Sequence, residues 1–148
     1  MKKVIILVIL ILLTGCGKDK YTTCTIDFNN TTLNYSMSAE YKIYSKKGFV
    51  TKIIKNEEYS SKDKETINYL KELKEIEYSN LSDIYGGYTY NIKDAKDKVE
   101  VDAKVILKEV DIKKMVKLEY LDKYYVNKGK LSLGGIKEFY ISKGANCN

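Results

Sequence analysis

An alternation of apolar and polar residues with a period of two constrains the fold of this 148-residue chain more than any other feature. Between positions 35 and 43 the larger apolar side chains recur at every second residue: Tyr35, Met37, Ala39, Tyr41 and Ile43. This spacing places them on one face of a half-buried strand. Residues 21–28 and 49–59 have strand composition as well. Three strands joined by short turns favour an antiparallel meander.

One long helix is predicted over residues 62–83. Ser60 and Ser61 are the expected N-caps, and Asp63 falls in the first turn, where a carboxylate suits the helix dipole. The apolar residues at helical spacing are expected to face the core: Ile67, Leu70, Leu73, Ile76 and Leu81. Because Glu and Lys fill the opposite face, this helix is expected to cover one side of a sheet.

Strand alternation returns after the helix. Residues 88–92 alternate, and beyond a polar turn the next strand carries one apolar face: Val99, Val101, Ala103, Val105 and Leu107. Short helices are expected at 111–121 and 132–143, with Gly144 as a left-handed stop. The element order predicts an α+β fold, in which an antiparallel sheet of about five strands is covered on one face by helices, after an N-terminal signal peptide.

A short apolar leader predicts the compartment. Lys2 and Lys3 precede an aliphatic run at residues 4–13, which has the length of a signal-peptide core and is too short to span a bilayer. The Leu-Thr-Gly-Cys at 13–16 resembles the bacterial lipobox. That resemblance implies cleavage before Cys16 and a diacylglycerol thioether on its sulfur.

The leader divides the chain into a signal peptide at 1–15, a lipidated tether at 16–22 and a single α+β domain at 23–148. Acyl chains at Cys16 would hold the domain on the extracytoplasmic face of the cell membrane, since two or more chains anchor stably. A plain secretory signal with an incidental cysteine and a transmembrane anchor are the alternatives.

Two further cysteines, Cys24 and Cys147, lie at opposite ends of the predicted domain. Thiol pairs outside the cytoplasm commonly oxidise, so a disulfide is predicted. Closing so long a loop stabilises a domain by about 4–5 kcal/mol in the loop-entropy model. Free buried thiols and a reactive or metal-binding cysteine are the alternatives, although the chain has no histidine and no CxxC spacing.

Composition argues against several functions. The 26 basic residues are all lysine and alternate with 20 acids, whereas nucleic-acid binding usually needs a one-sided basic patch that includes arginine. A nucleic-acid partner is therefore not expected. Without histidine, a P-loop, a G-x-S-x-G or a dinucleotide fingerprint, no catalytic residue, metal site or cofactor is predicted.

Tyrosine is unusually frequent, at 14 residues. Tyr85, Tyr88 and Tyr90 flank the pair Gly86–Gly87 and form a candidate ligand-binding group, because tyrosine offers flat, amphipathic contact surface. The alternative is that these rings fill strand faces with the hydroxyl reaching water. The glycine pair is expected to be a helix-to-strand turn at positive φ.

Several segments occur in an order that resembles one family. After the lipobox these are "YKIYSKKGFVTKI", "SSKDKETINYLKELK", "YGGYTYNI" with "KVEVDAKVIL", "VDIKKMVKLEYL" and "GGIKEFYISKGANC". This order is similar to that of the small YehR-like lipoproteins of bacteria. The resemblance implies a compact α+β domain with an antiparallel sheet, and it carries over no catalytic residue.

The expected function is that of a membrane-anchored, non-enzymatic lipoprotein that binds an envelope protein or glycan, or acts as an accessory module. One alternative is a carboxylate-based envelope hydrolase, which needs two acids about 5–9.5 Å apart across a cleft. Another is a carrier of a hydrophobic ligand, which needs a deep apolar cavity between helix and sheet.

Overall fold

A computed structural model describes residues 20–148, so the leader and Cys16 lie outside the described residues. The strands are β1 (Tyr21–Asn30), β2 (Tyr35–Lys46), β3 (Phe49–Ser60), β4 (Tyr88–Ala95), β5 (Lys98–Ile106), β6 (Val126–Asn127), β7 (Lys130–Leu131) and β8 (Asn146–Cys147). Six of them form one sheet in the order β4-β5-β3-β2-β1-β8, with every neighbouring pair antiparallel. β6 and β7 form a separate hairpin.

The helices are α1 (Lys64–Tyr85), α2 (Ile112–Lys117) and α3 (Leu133–Ser142). α1 contacts β3, β4 and β5, and α3 contacts β3 and β8. Alternate strand residues beneath them are buried, among them Ile43, Ile53, Val101 and Val105. The predicted α+β class with an antiparallel sheet is therefore confirmed. Within residues 20–148, no helix combines the length and apolarity needed to cross a membrane.

The sixth strand of the sheet follows from the two cysteines. Cys24 of β1 lies opposite Cys147 of β8, and their sulfur atoms are at disulfide distance, as the sequence predicts. The two-residue strand β8 thereby adds an edge next to β1. A segment this short carries no detectable strand pattern, which explains why about five strands are expected from the sequence.

The N-cap of α1 is Asp63, so the prediction of Ser60 or Ser61 is wrong. The Asp63 carboxylate accepts hydrogen bonds from the backbone N–H groups of Glu65 and Thr66, at 3.1 and 3.2 Å. Ser61 is engaged elsewhere, because its hydroxyl donates to the carbonyl of Asn34 at 2.7 Å. Ser60, Ser61 and Asp63 all have side chains that can cap a helix, and the tertiary contact of Ser61 leaves the cap to Asp63.

The buried face of α1 is rotated from the predicted one. Ile67, Leu70 and Leu81 are buried as expected, but Leu73 and Ile76 are 41% and 60% exposed. Tyr78 takes the central inward position and is 1% exposed. At 100° per residue, Leu73 and Ile76 lie about 140° and 160° around the helix from Tyr78, on the side that faces away from the core. The hydrogen bond from Tyr78 to Glu57 of the sheet determines which face of α1 is buried.

The glycine pair makes the predicted turn from α1 to β4. Gly86 and Gly87 have φ values of 71° and 72°. A Cβ on Gly87 would lie 2.6 Å from Cγ2 of Val110 and 2.8 Å from the carbonyl oxygen of Ile106. The position therefore requires glycine both for its backbone conformation and for close packing.

Candidate functional site

A pocket of about 640 Å³ opens at one end of the sheet. Three segments surround it: the turn between β2 and β3, the 3₁₀ turn Leu107–Glu109 that follows β5, and the hairpin of β6 and β7. The β2–β3 turn is pinned to the start of α3, because the carbonyl of Gly48 accepts a hydrogen bond from Leu133 N at 2.9 Å. The walls of the pocket therefore come from parts of the chain that are distant in sequence.

The floor and walls of this pocket are apolar. Val50, Ile112 and Leu131 are buried at its base, and Phe49, Ile106 and Leu107 are half-buried around them. Sites for small molecules are typically concave, largely apolar and about 300–1,000 Å³ in volume. The pocket therefore has the size and lining of a site for an apolar group.

Four exposed lysines form the rim: Lys46, Lys47, Lys108 and Lys130. None of the described residues that line the pocket is acidic. Lys46, Lys47 and Lys130 form no ion pair within the described part of the chain, and Lys108 Nζ lies 3.9 Å from a carboxylate oxygen of Glu109. We call this site, apolar base and lysine rim together, the lysine-rimmed pocket. Its positive charge is largely uncompensated.

Strand β3, which contributes Phe49, Val50 and Thr51 to the pocket, also carries a buried carboxylate on its helix-covered face. Glu57 of β3 is 8% exposed and accepts hydrogen bonds from three tyrosine hydroxyls. Tyr41 of β2 and Tyr78 of α1 donate to Oε1 at 3.3 and 2.9 Å, and Tyr59 of β3 donates to Oε2 at 2.8 Å. These four residues, the Glu57 cluster, join two strands to the helix.

The electrostatics of the Glu57 cluster favour protonated tyrosines. Burial raises the pKa values of Tyr41, Tyr59 and Tyr78 far above their usual range, and the negative charge of Glu57 raises them further. The Lys55 ammonium lies 5.9 and 5.6 Å from the ring centroids of Tyr41 and Tyr78. Among residues 20–148, every buried side-chain nitrogen and oxygen has a hydrogen-bond partner. This arrangement stabilises a folded state and leaves no free group for a ligand.

The three tyrosines of the predicted ligand-binding group do not share a surface. Tyr85 and Tyr88 are 8% and 9% exposed and belong to the core. Tyr90 is exposed and packs its ring against Tyr78, with 5.6 Å between centroids. It lines a groove between α1 and β4 in which no lining residue is buried.

Four acids on the open face of the sheet are paired with lysines. The ion pairs are Glu40–Lys42, Glu58–Lys98, Glu100–Lys98 and Asp102–Lys93, at 2.9, 3.0, 2.6 and 3.4 Å. In the described part of the chain no three His, Cys, Asp or Glu residues come close enough together to hold a metal ion. The space between the helices and the sheet contains a cavity of only about 40 Å³.

Sequence reasoning missed both the lysine-rimmed pocket and the Glu57 cluster. The segments "SKKG" at 45–48 and "NKGK" at 127–130 each indicate a turn, but each looks like an ordinary solvated lysine turn. Glu57 stands next to Glu58, and nothing local shows which of the two faces the core. The strand alternation through Ile53, Glu57 and Tyr59 is the one signal that could have placed Glu57 inside.

The fold is similar to two solved structures. The YehR protein of E. coli aligns over 87% of this chain and 91% of its own, with a TM-score of 0.55 and 11% identity. A protein of Streptococcus pneumoniae aligns over 88% of this chain and 87% of its own, with a TM-score of 0.50 and 14% identity. No protein-family model matches the sequence, and no curated protein does. The likeness is therefore one of fold, consistent with a YehR-like fold.

Proposed function

We propose that this protein is a lipoprotein anchored at Cys16 on the extracytoplasmic face of the membrane, where it acts as a non-enzymatic binding module. The lysine-rimmed pocket is the proposed binding site, and its ligand is a molecule with a substantial apolar part. The observation that carries the proposal is the pocket itself, because about 640 Å³ of apolar-walled space remains open beside buried Val50, Ile112 and Leu131.

The proposal includes the alternative of a hydrophobic carrier, but it places the ligand at the end of the sheet rather than between helix and sheet. A carrier is expected to hold its ligand between helix and sheet, where only about 40 Å³ is open, whereas the pocket at the end of the sheet is large enough for a small molecule. The alternative of a two-carboxylate hydrolase has less support. Glu40, Glu58 and Glu100 on the open face are engaged with lysines, and Glu57 accepts hydrogen bonds from three tyrosine hydroxyls.

Photo-crosslinking in intact membranes tests the binding site. Thr51 lines the pocket and is exposed, so a p-benzoylphenylalanine at this position would face a bound molecule. Irradiation of cells that express the full chain should give a small-molecule adduct on the peptide that contains position 51, detected by mass spectrometry. The matched control is Thr25, an exposed strand threonine that is not among the residues lining the pocket.

Equal adduct masses and yields at the two positions would count against a ligand in the pocket. The anchor has its own test, since labelled palmitate should be incorporated into the full chain and not into Cys16→Ser. If the wild-type protein takes up no labelled palmitate in cells whose other lipoproteins do, the proposed lipid anchor is wrong.

A further inference from the structure

We infer that the ligand of the lysine-rimmed pocket is an anionic membrane lipid, whose acyl chain enters the apolar base while the lysines hold its phosphate. This inference rests on the binding function proposed above and specifies its ligand and the source of that ligand. Two independent features of the described residues support it. One is the distribution of charge around the pocket, and the other is the place where the chain enters the sheet.

The charge distribution selects for an amphiphile with a negative head. The apolar groups lie at the base and the ammonium groups lie at the mouth, so a ligand that satisfies both must be apolar at one end and anionic at the other. Lys46, Lys47 and Lys130 have no carboxylate partner among the described residues. Lys130 Nζ lies 5.7 Å from the ring centroid of Phe49, which places a cation directly beside the apolar wall.

Three lysines on the open face of the sheet are neutralised by acids. On the open face of the sheet, Lys42, Lys93 and Lys98 are within 3.4 Å of an acid. Other exposed lysines, such as Lys62, Lys96 and Lys104, form no ion pair with described residues either. The rim lysines differ from them because they surround an apolar opening whose described lining contains no acid, and this gives the opening a local excess of positive charge. Each lysine near an anionic bilayer surface contributes about fivefold to membrane affinity.

The chain enters the sheet at the same end as the pocket. Tyr21, at the start of β1, lies in one row of paired residues that crosses the sheet. The row continues through Tyr44 of β2 and Lys52 of β3 and ends at the pocket residue Ile106 of β5. Three strand spacings separate Tyr21 from Ile106, which is about 15 Å. Cys16 precedes Tyr21 by five positions, and an extended chain of that length reaches at most about 18 Å. Acyl chains at Cys16 would therefore hold the mouth of the pocket close to the bilayer.

The test uses the full lipidated protein in phosphatidylcholine vesicles that contain a small fraction of a lipid with a photoreactive diazirine on its acyl chain. Three probes are compared: phosphatidylglycerol, phosphatidylcholine and a free fatty acid. After irradiation, mass spectrometry measures labelling of the peptides that contain Val50 and Leu131. We expect the phosphatidylglycerol probe to label these peptides at least about fivefold more than the phosphatidylcholine probe.

Two charge-matched variants locate the selectivity. The triple substitution of Lys46, Lys47 and Lys130 by Gln removes the unpaired rim lysines, and we expect it to bring the ratio of the two phospholipid probes close to one. The triple substitution of Lys62, Lys64 and Lys96 by Gln removes the same charge from exposed, unpaired lysines at the opposite end of the sheet. This control should keep the wild-type ratio, and a loss of selectivity in it would overturn the inference.

The other outcomes separate this inference from the function on which it rests. Equal labelling of the pocket by phosphatidylglycerol and phosphatidylcholine would contradict the inference that the ligand is anionic, but it would still support binding of an apolar molecule. Labelling by the fatty acid alone would overturn the membrane lipid as the source. If no probe labels the pocket peptides and the crosslinker at Thr51 also captures nothing, the proposed binding function fails as well.

Discussion

The Glu57 cluster and the lysine-rimmed pocket handle charge in opposite ways. In the cluster one carboxylate is surrounded by three hydroxyl donors, from β2, β3 and α1, and is almost inaccessible to water. In the pocket four ammonium groups surround an apolar opening, and three of them have no acid partner among residues 20–148. Strand β3 contributes to both regions, with Glu57 in the first and Phe49, Val50 and Thr51 in the second.

The difference separates a charge that stabilises the fold from charges that are available to a ligand. A buried carboxylate persists only when its hydrogen-bonding capacity is met, because an unsatisfied buried polar group costs about 1–3 kcal/mol. Exposed lysines are hydrated and carry no such requirement, so their arrangement can be selected for recognition. We therefore expect changes in the cluster to alter stability, and changes at the rim to alter binding alone.

The largest effect is expected for Glu57→Ala. The substitution leaves three buried tyrosine hydroxyls without their acceptor, so the free energy of unfolding should fall by roughly 3 kcal/mol or more. Urea unfolding followed by circular dichroism measures this loss. The matched control is Glu58→Ala, one residue along, because Glu58 lies on the open face and pairs with Lys98.

Glu58→Ala should cost much less than Glu57→Ala, and Glu57→Gln should fall between the two, since an amide can replace part of the acceptor capacity. Similar losses for the two alanine variants would contradict the assignment of Glu57 as the buried partner of the tyrosines. They would also remove one half of the comparison between the two regions.

A more gradual loss of stability is expected at alkaline pH. The pKa values of Tyr41, Tyr59 and Tyr78 are raised in the folded state, mainly by burial and then by the charge of Glu57. Above pH about 10 the unfolded chain loses tyrosine protons that the folded chain retains. Stability should therefore be fully present below pH 10 and fall above it, by up to about 1.4 kcal/mol per pH unit for each tyrosine.

Urea unfolding between pH 8 and pH 11 measures this decline, and Tyr78→Phe isolates one contribution to it. The variant should be less stable at pH 8 but lose stability less steeply above pH 10 than the wild type. Tyr90→Phe serves as the control, because Tyr90 is exposed and lies outside the cluster. If the stability of Tyr78→Phe falls as steeply above pH 10 as that of the wild type, the Tyr78 hydroxyl does not contribute to the alkaline loss of stability.

The smallest effect on stability is expected at the rim. Replacing Lys46, Lys47 and Lys130 together by Gln should change the free energy of unfolding by no more than about 0.5 kcal/mol, because all three are exposed and form no ion pair with described residues. The same urea unfolding assay, with the Lys62, Lys64 and Lys96 triple variant alongside, measures it. A loss comparable to that of Glu57→Ala would show that the rim lysines are structural.

Local patterns in the sequence were sufficient for the α+β class, for the strands from β1 to β5 and for the existence of α1. Strand alternation and helical spacing are properties of neighbouring residues, so they are readable without knowledge of the fold. The pairing of Cys24 with Cys147 was predictable for a different reason, since few cysteines remain to be matched. The leader and Cys16 stay predictions, because they lie outside the described residues.

Only the tertiary structure decided where charge is satisfied and where it is left free. Tyr41 and Tyr78 are 16 and 21 residues from Glu57, so no local pattern links the three. Lys46, Lys108 and Lys130 likewise come from three separate turns that meet only when α3 and the β6–β7 hairpin fold against the end of the sheet. The sequence by itself determined the elements and their order, because these depend on short-range periodicity. The pocket and the buried carboxylate depend on long-range packing, which brings together residues that local patterns treat independently.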